Sequence, residues 1–126
     1  MKIEHIAVAS NSIEDSDRFF IELLKLKKTK TFSVSAELME KFFGVSKEHV
    51  FVRYQNENLG VEVIITNDNS RSIDVFTHPC LIVENRDELI KKSSVMGFTT
   101  IKVSRKDGQG YYLFVKDSFG NLYEFK

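Results

Sequence analysis

Cysteine occurs once in this 126-residue chain, at Cys80, which excludes an internal disulfide framework and makes a reducing, cytoplasmic setting the expected one. Long apolar runs are also missing. None approaches the roughly 20 residues of a helical membrane span, and the N-terminus has no apolar core of a secretory signal. No sign of charge is in excess: 18 basic residues face 18 acidic ones, so neither nucleic acid nor an anionic membrane is expected as a partner. The one basic cluster, Lys25, Lys27, Lys28 and Lys30, reads as a solvated helix end and strand edge. The remaining composition, 42% hydrophobic and 29% charged, is that of an ordinary globular protein of single-domain size.

What is present is a repeat. The first copy opens with Ile3-Glu4-His5-Ile6-Ala7-Val8-Ala9 and the second with His78-Pro79-Cys80-Leu81-Ile82-Val83-Glu84. Each opening reads as a strand that runs into a polar turn and an amphipathic segment. In the first copy Ser12-x-x-Asp15 resembles a capping box ahead of a helical pattern through Phe19, Phe20, Leu23 and Leu24. A strand over 29–34, a short helix over 36–43 stopped by Gly44, and two strands over 50–55 and 59–66 follow, the last two joined through Asn56-Glu57-Asn58. The polar stretch 67–72 reads as a linker. The second copy repeats the order: strand 78–84, helix 86–96 stopped by Gly97, then strands 98–103, 111–116 and one ending at Phe125. Each half therefore reads β-α-β-β-β. The halves are expected over about 1–68 and 76–126 of a single domain.

Glu62 lies late in the first copy and Glu124 late in the second. His5 and Glu62 are 57 positions apart, His78 and Glu124 46, and the excess of 11 matches the helical insert around 35–47. Two imidazoles and two carboxylates at matched places in a duplicated unit can form one metal site. Strand alternation sets His5 opposite Ile6 and Val8, His78 and Cys80 opposite Leu81 and Val83, and Glu124 opposite Tyr123 and Phe125. Glu62 stands between apolar residues on both faces, so its parity permits the site without demanding it. A surface strand glutamate is the plain alternative there, and a hydrogen-bonded structural histidine is the alternative for either imidazole taken alone. Cys80 shares the parity of His78 and either lines the cavity or fills space. Tyr112 and Phe114 share one strand face, as substrate contacts or as core aromatics. His49 reads as an exposed loop residue.

The opening His5-Ile-Ala-Val with Phe19-Phe20 and Leu23-Leu24, and the close Val115-Lys-Asp117-Ser-Phe-Gly120-Asn121-Leu-Tyr-Glu124-Phe125, resemble the vicinal oxygen chelate superfamily. That group includes glyoxalase I, methylmalonyl-CoA epimerase, extradiol dioxygenases, and fosfomycin and bleomycin resistance proteins. The resemblance spans the whole chain. It implies an α+β fold of two tandem β-α-β-β-β modules, whose cupped, barrel-like mixed sheet has helices outside and surrounds a divalent metal. His5, Glu62, His78 and Glu124 fall where the glyoxalase I type places its ligands, a set suited to Ni²⁺, Co²⁺, Mn²⁺ or Zn²⁺. Glu124 or Glu62 would be the catalytic base, and Tyr112, Phe114 and Cys80 would meet the substrate.

The chain departs from the pattern at Lys25, where many members carry glycine, and at Ser118-Phe119, where they carry Pro-x. It shows neither the arginines of glutathione recognition nor a coenzyme A segment. The resemblance implies a metal-dependent lyase or isomerase acting on a small 2-oxo or 2-hydroxy acyl compound through an enediolate, in a homodimer. A non-catalytic protein that sequesters a small molecule is the alternative. A dioxygenase is disfavoured by the four-ligand pattern.

Overall fold

The computed structural model describes residues 1–126 as two units, Met1–Ser70 and Arg71–Lys126, each with its own four-stranded sheet. In the first, β1 (Ile6–Ser10) leads into α1 (Ile13–Ser16), whose last turn widens into a π-helical stretch over Asp17–Leu23. Then come β2 (Lys27–Val34), α2 (Ala36–Phe43), β3 (His49–Gln55) and β4 (Gly60–Ile65). The strands lie in the order β1-β4-β3-β2, with β1 parallel to β4 and the other pairs antiparallel. The second unit has β5 (Cys80–Leu81), α3 (Arg86–Val95), β6 (Thr99–Ser104), β7 (Tyr111–Lys116) and β8 (Leu122–Phe125). Its order, β5-β8-β7-β6 with β5 parallel to β8, is the same arrangement again. Two mixed sheets of equivalent topology are what the α+β, twice-repeated reading requires.

Local chemistry explains where the helices begin and end. Ser12, Ser35 and Asn85 each accept the backbone N–H three residues on, satisfying a donor that the first helical turn leaves open. Gly44 and Gly97 close α2 and follow α3 in the left-handed conformation that glycine adopts without a Cβ clash. Lys25 holds the same conformation, with φ of 63°, although it has a side chain. A glycine there would relieve the strain. Lys25→Gly should therefore raise stability by up to about 1 kcal/mol, measured as the urea midpoint at unchanged slope.

The π-helical stretch was not foreseen. The Leu24 N–H reaches back to Phe19 O at 3.0 Å and the Leu26 N–H to Phe20 O at 2.8 Å, wider steps than an α-helix makes. The widening lets the adjacent rings of Phe19 and Phe20 both turn inward, where they are 0% and 1% exposed. Phe20 stacks on Tyr54 with ring centres 5.1 Å apart, and the Tyr54 hydroxyl donates to Asp17.

Register decides which face of each sheet is free. On β4, Val61, Val63 and Ile65 are buried with Val52 and Tyr54 of β3, so Glu62 and Ile64 point the other way. That settles the ambiguous parity of Glu62. The second face is floored at one end by α2, where Met39 packs with Val34 and Phe51, and Phe32 and Ile64 lie against them. The insert thus covers half of this face and leaves the half that bears Glu62. In the second unit Leu113, Val115, Tyr123 and Phe125 are fully buried together, and Phe114 and Glu124 pair on the opposite face.

Two strand openings are shorter than the sequence suggests. β1 starts at Ile6 rather than Ile3, and β5 consists of Cys80 and Leu81 alone. His5 and His78 therefore precede their strands, and strand alternation does not govern their direction.

Candidate functional site

In the first unit the β1-β4-β3-β2 register lays Ala7, Glu62, Arg53 and Lys30 side by side. His5, one residue before β1, brings its Nε2 to 4.0 Å from Glu62 Oε1. Its Nδ1 is taken by the Glu4 carboxylate. Arg53 donates from Nη2 to Glu4 Oε1 at 2.7 Å and stands 3.6 Å from Glu62 through Nη1. A four-residue cluster results, Glu4-His5-Glu62-Arg53, of which sequence reasoning found two members. The Arg53 guanidinium, with help from His5, holds the Glu4 carboxyl well below the usual carboxylate range, at about 2.

A group depressed in this way adds stability above its ordinary value of 4.5 and loses it as the pH falls toward about 2. A carbon-detected titration should find Glu4 still ionised where ordinary glutamates are half protonated. Its midpoint should return toward 4.5 in Arg53→Gln. An ordinary midpoint for Glu4 in the wild type would show that the pair does not persist in solution.

The second unit repeats the arrangement with different neighbours. Cys80, Glu124, Phe114 and Ile101 form the equivalent row across β5-β8-β7-β6. His78 Nε2 is 3.5 Å from Glu124 Oε2, and its Nδ1 is 2.6 Å from the Phe76 carbonyl oxygen. The His78 ring meets Phe114 edge to face at 5.3 Å. A turn held by Asp74, which accepts from the N–H groups of Phe76 and Thr77 and the Thr77 hydroxyl, sets the segment that carries His78. Lys126 approaches the other oxygen of Glu124 at 3.9 Å.

Glu124 is placed by the turn before β8. Asp117, 8% exposed, accepts from the backbone N–H groups of Phe119 and Asn121, from Asn121 Nδ2 and from the Tyr123 hydroxyl. Burial pushes the Asp117 carboxyl up, and those donors offset part of the rise. Tyr112 is exposed and stacks under Arg105. Phe114 lies beside Glu124, and Cys80 is exposed rather than a buried filler, its thiol pushed up by partial desolvation and by the Glu124 charge. Cys80 and Phe114 are thus brought to Glu124, while Tyr112 stands two residues along β7 from Phe114 and faces Arg105.

The donors fit a divalent first-row ion in kind. A carbonyl oxygen can only accept, so Nδ1 of neutral His78 carries the proton and Nε2 offers its lone pair toward Glu124. The ionised Glu4 imposes the same tautomer on His5. An imidazole oriented from behind by an oxygen, with a carboxylate in front, is the usual surrounding of a metal-ligating histidine. Separations of 4.0 and 3.5 Å exceed a hydrogen bond and leave each pair's donors uncommitted to one another. Each unit supplies two donors. No group of three or more His, Cys, Asp or Glu side chains able to hold a metal ion is found.

The topology has close counterparts among solved structures. A glyoxalase family protein from Enterococcus faecalis matches over 98% of this chain and 95% of its own, with a TM-score of 0.72 at 18% identity. This is a glyoxalase fold. A glyoxalase family protein from Bacillus cereus shares it with a TM-score of 0.76 at 14% identity, over 99% of this chain and 92% of its own. The fosfomycin resistance protein FosX from Listeria monocytogenes shares it with a TM-score of 0.70 at 13% identity, over 98% and 87%. That protein was solved, as a mutant, with Mn(II) and 1S,2S-dihydroxypropylphosphonic acid. No family profile matches this chain, and no curated protein is similar to it in sequence. The glyoxalase fold agrees with the resemblance carried by the His5 and Asp117–Phe125 segments. No helix is long and apolar enough to cross a membrane.

Proposed function

We propose that the two half-sites act together as one centre, in which His5, Glu62, His78 and Glu124 hold a divalent metal ion. The protein is then a metal-dependent lyase or isomerase of a small 2-oxo or 2-hydroxy acyl compound. The observation that carries this reading is the matched pair of half-sites, each with an imidazole Nε2 turned to a carboxylate and an Nδ1 occupied from behind. A structural histidine gives no reason for the same device to occur twice.

The ion would supply Lewis-acid polarisation of a substrate oxygen. The chain's own part is proton transfer at the neighbouring carbon. Glu62 is drawn to the Arg53 guanidinium at 3.6 Å, whereas the fixed cation nearest Glu124 is Lys126, at 3.9 Å and more than half exposed, so Glu124 is the carboxylate less held by charge and the one we assign to take the proton. Phe114 and His78 present the apolar wall beside it. The sheets are open at both edges, and a second copy of the chain is the partner we assign to them.

Elemental analysis after loading with Ni²⁺, Co²⁺, Mn²⁺ or Zn²⁺ tests the centre directly. One ion per chain in the wild type and none in a His5→Ala/Glu124→Ala double variant is the expected result. An equal metal content in both, or none in either, would remove the catalytic reading. The metal-free outcome would leave a small-molecule sequestering protein, the second reading that the fold accommodates.

A further inference from the structure

We propose that Arg53 and Lys30 form a carboxylate-binding subsite beside the first half-site, and that the substrate is therefore a free 2-oxo or 2-hydroxy acid rather than a neutral acyl derivative. The inference deepens the proposed function and rests on it for the reacting end of the molecule. The two units differ at this place. In the second, the neighbours of the glutamate along the row are Phe114 and Ile101; in the first, the same two positions are Arg53 and Lys30. A duplicated sheet that keeps its imidazole and carboxylate but exchanges two apolar side chains for two cations has acquired something to bind.

The surroundings suit an anion of modest size. A cavity of about 370 Å³ is bounded by Arg53, Lys30, Glu62, Glu4 and Phe32. Lys30 lies over the Phe32 ring at 4.7 Å, which keeps its ammonium at the cavity wall. The guanidinium is only partly used: Nη2 serves Glu4, while Nε is buried and has no acceptor. A carboxylate placed side-on to Arg53 would fill Nε and Nη2 together, the bidentate geometry that arginine favours. Glu4 is the group that must yield. It precedes the first strand and its side chain is 70% exposed, so it is the partner of Arg53 that can turn out to water. Glu4 thus keeps the place that a substrate carboxylate takes, and the two compete.

The test titrates the protein, loaded with diamagnetic Zn²⁺ and also metal-free, with 2-oxobutyrate and with its uncharged amide. The Arg53 Nε–H resonance is followed throughout. The acid should shift that resonance and the amide should not. Glu4→Gln should bind the acid several-fold more tightly, Lys30→Gln several-fold more weakly, and Arg53→Gln should lose the preference for the acid. Lys30 is exposed, so its variant reports even if Arg53→Gln folds poorly. An amide that binds as well as the acid, or a preference unchanged in Lys30→Gln and Arg53→Gln, would overturn the subsite. Zinc content of the same samples is read separately: a protein that takes up no zinc yet prefers the acid contradicts the metal centre and not the subsite.

Discussion

Asp117→Ala should be the most destabilising single substitution on the site-bearing turn, costing about 3 kcal/mol and lowering the melting temperature by about 10–15 °C. Four donors lose their common acceptor at once, and two of them are backbone groups that no rotamer can redirect. The Tyr123 hydroxyl, on a fully buried ring, loses this charged acceptor. Calorimetry of the variant checks the size of the effect, and a melting temperature within 3 °C or so of wild type would refute this account of the turn. Asp117→Asn keeps an acceptor oxygen and should lose about half as much.

The pH dependence has a definite sign. Burial raises the Asp117 carboxyl above its ordinary value of 3.8, so the folded chain holds this proton more tightly than the unfolded one. The protonated form's advantage is complete below that value and is lost as the pH rises through the raised one. The stability gap between wild type and Asp117→Asn should accordingly be wider in acid than at neutral pH.

The second large effect concerns chemistry. Glu124→Gln should slow proton exchange at the carbon next to the carbonyl of 2-oxobutyrate by about 10²–10⁴-fold, followed as deuterium uptake in D₂O by the metal-loaded protein. Glu62→Gln should have a smaller effect on this step, because Arg53 already engages that carboxylate. Equal losses in the two variants would mean that both glutamates act only as donors. A larger loss in Glu62→Gln would reverse the assignment of the base. Phe114→Ala separates position from chemistry: it removes the ring against His78 and should weaken substrate binding more than it slows exchange.

Much of this was legible in the chain. The cap at Ser12, the stop at Gly44 and the hairpin through Asn56-Glu57-Asn58 follow from local hydrogen bonding and backbone freedom, which depend on few residues. The π-helical stretch was not legible, since it is decided by the burial of both Phe19 and Phe20 against Tyr54, a tertiary demand. The histidines were placed on strands because their flanks are apolar. Both precede their strands, and side chains or carbonyls from outside the ladder orient them.

Arg53 was missed although a signal existed. With the hairpin loop at 56–59, the register sets Arg53 against Glu62, two opposite charges facing one another in otherwise apolar strands. Glu4 left no comparable trace. Its role appears only when Arg53 and His5 converge on it.

The turn that Asp74 holds before β5 has a consequence for the order of events on heating. His78 hangs from a segment secured by its own side chains and by a bond from Ser72 N–H to Phe119 O, whereas Glu124 sits within the ladder of the sheet. The Pro79 carbonyl next to His78 accepts from Glu124 N–H at 3.0 Å, so the imidazole's freedom is that of its side chain and of the turn before it, a local opening rather than global unfolding. If the proposed centre holds an ion, its release should precede the loss of secondary structure, at a rate set by a few residues around Asp74.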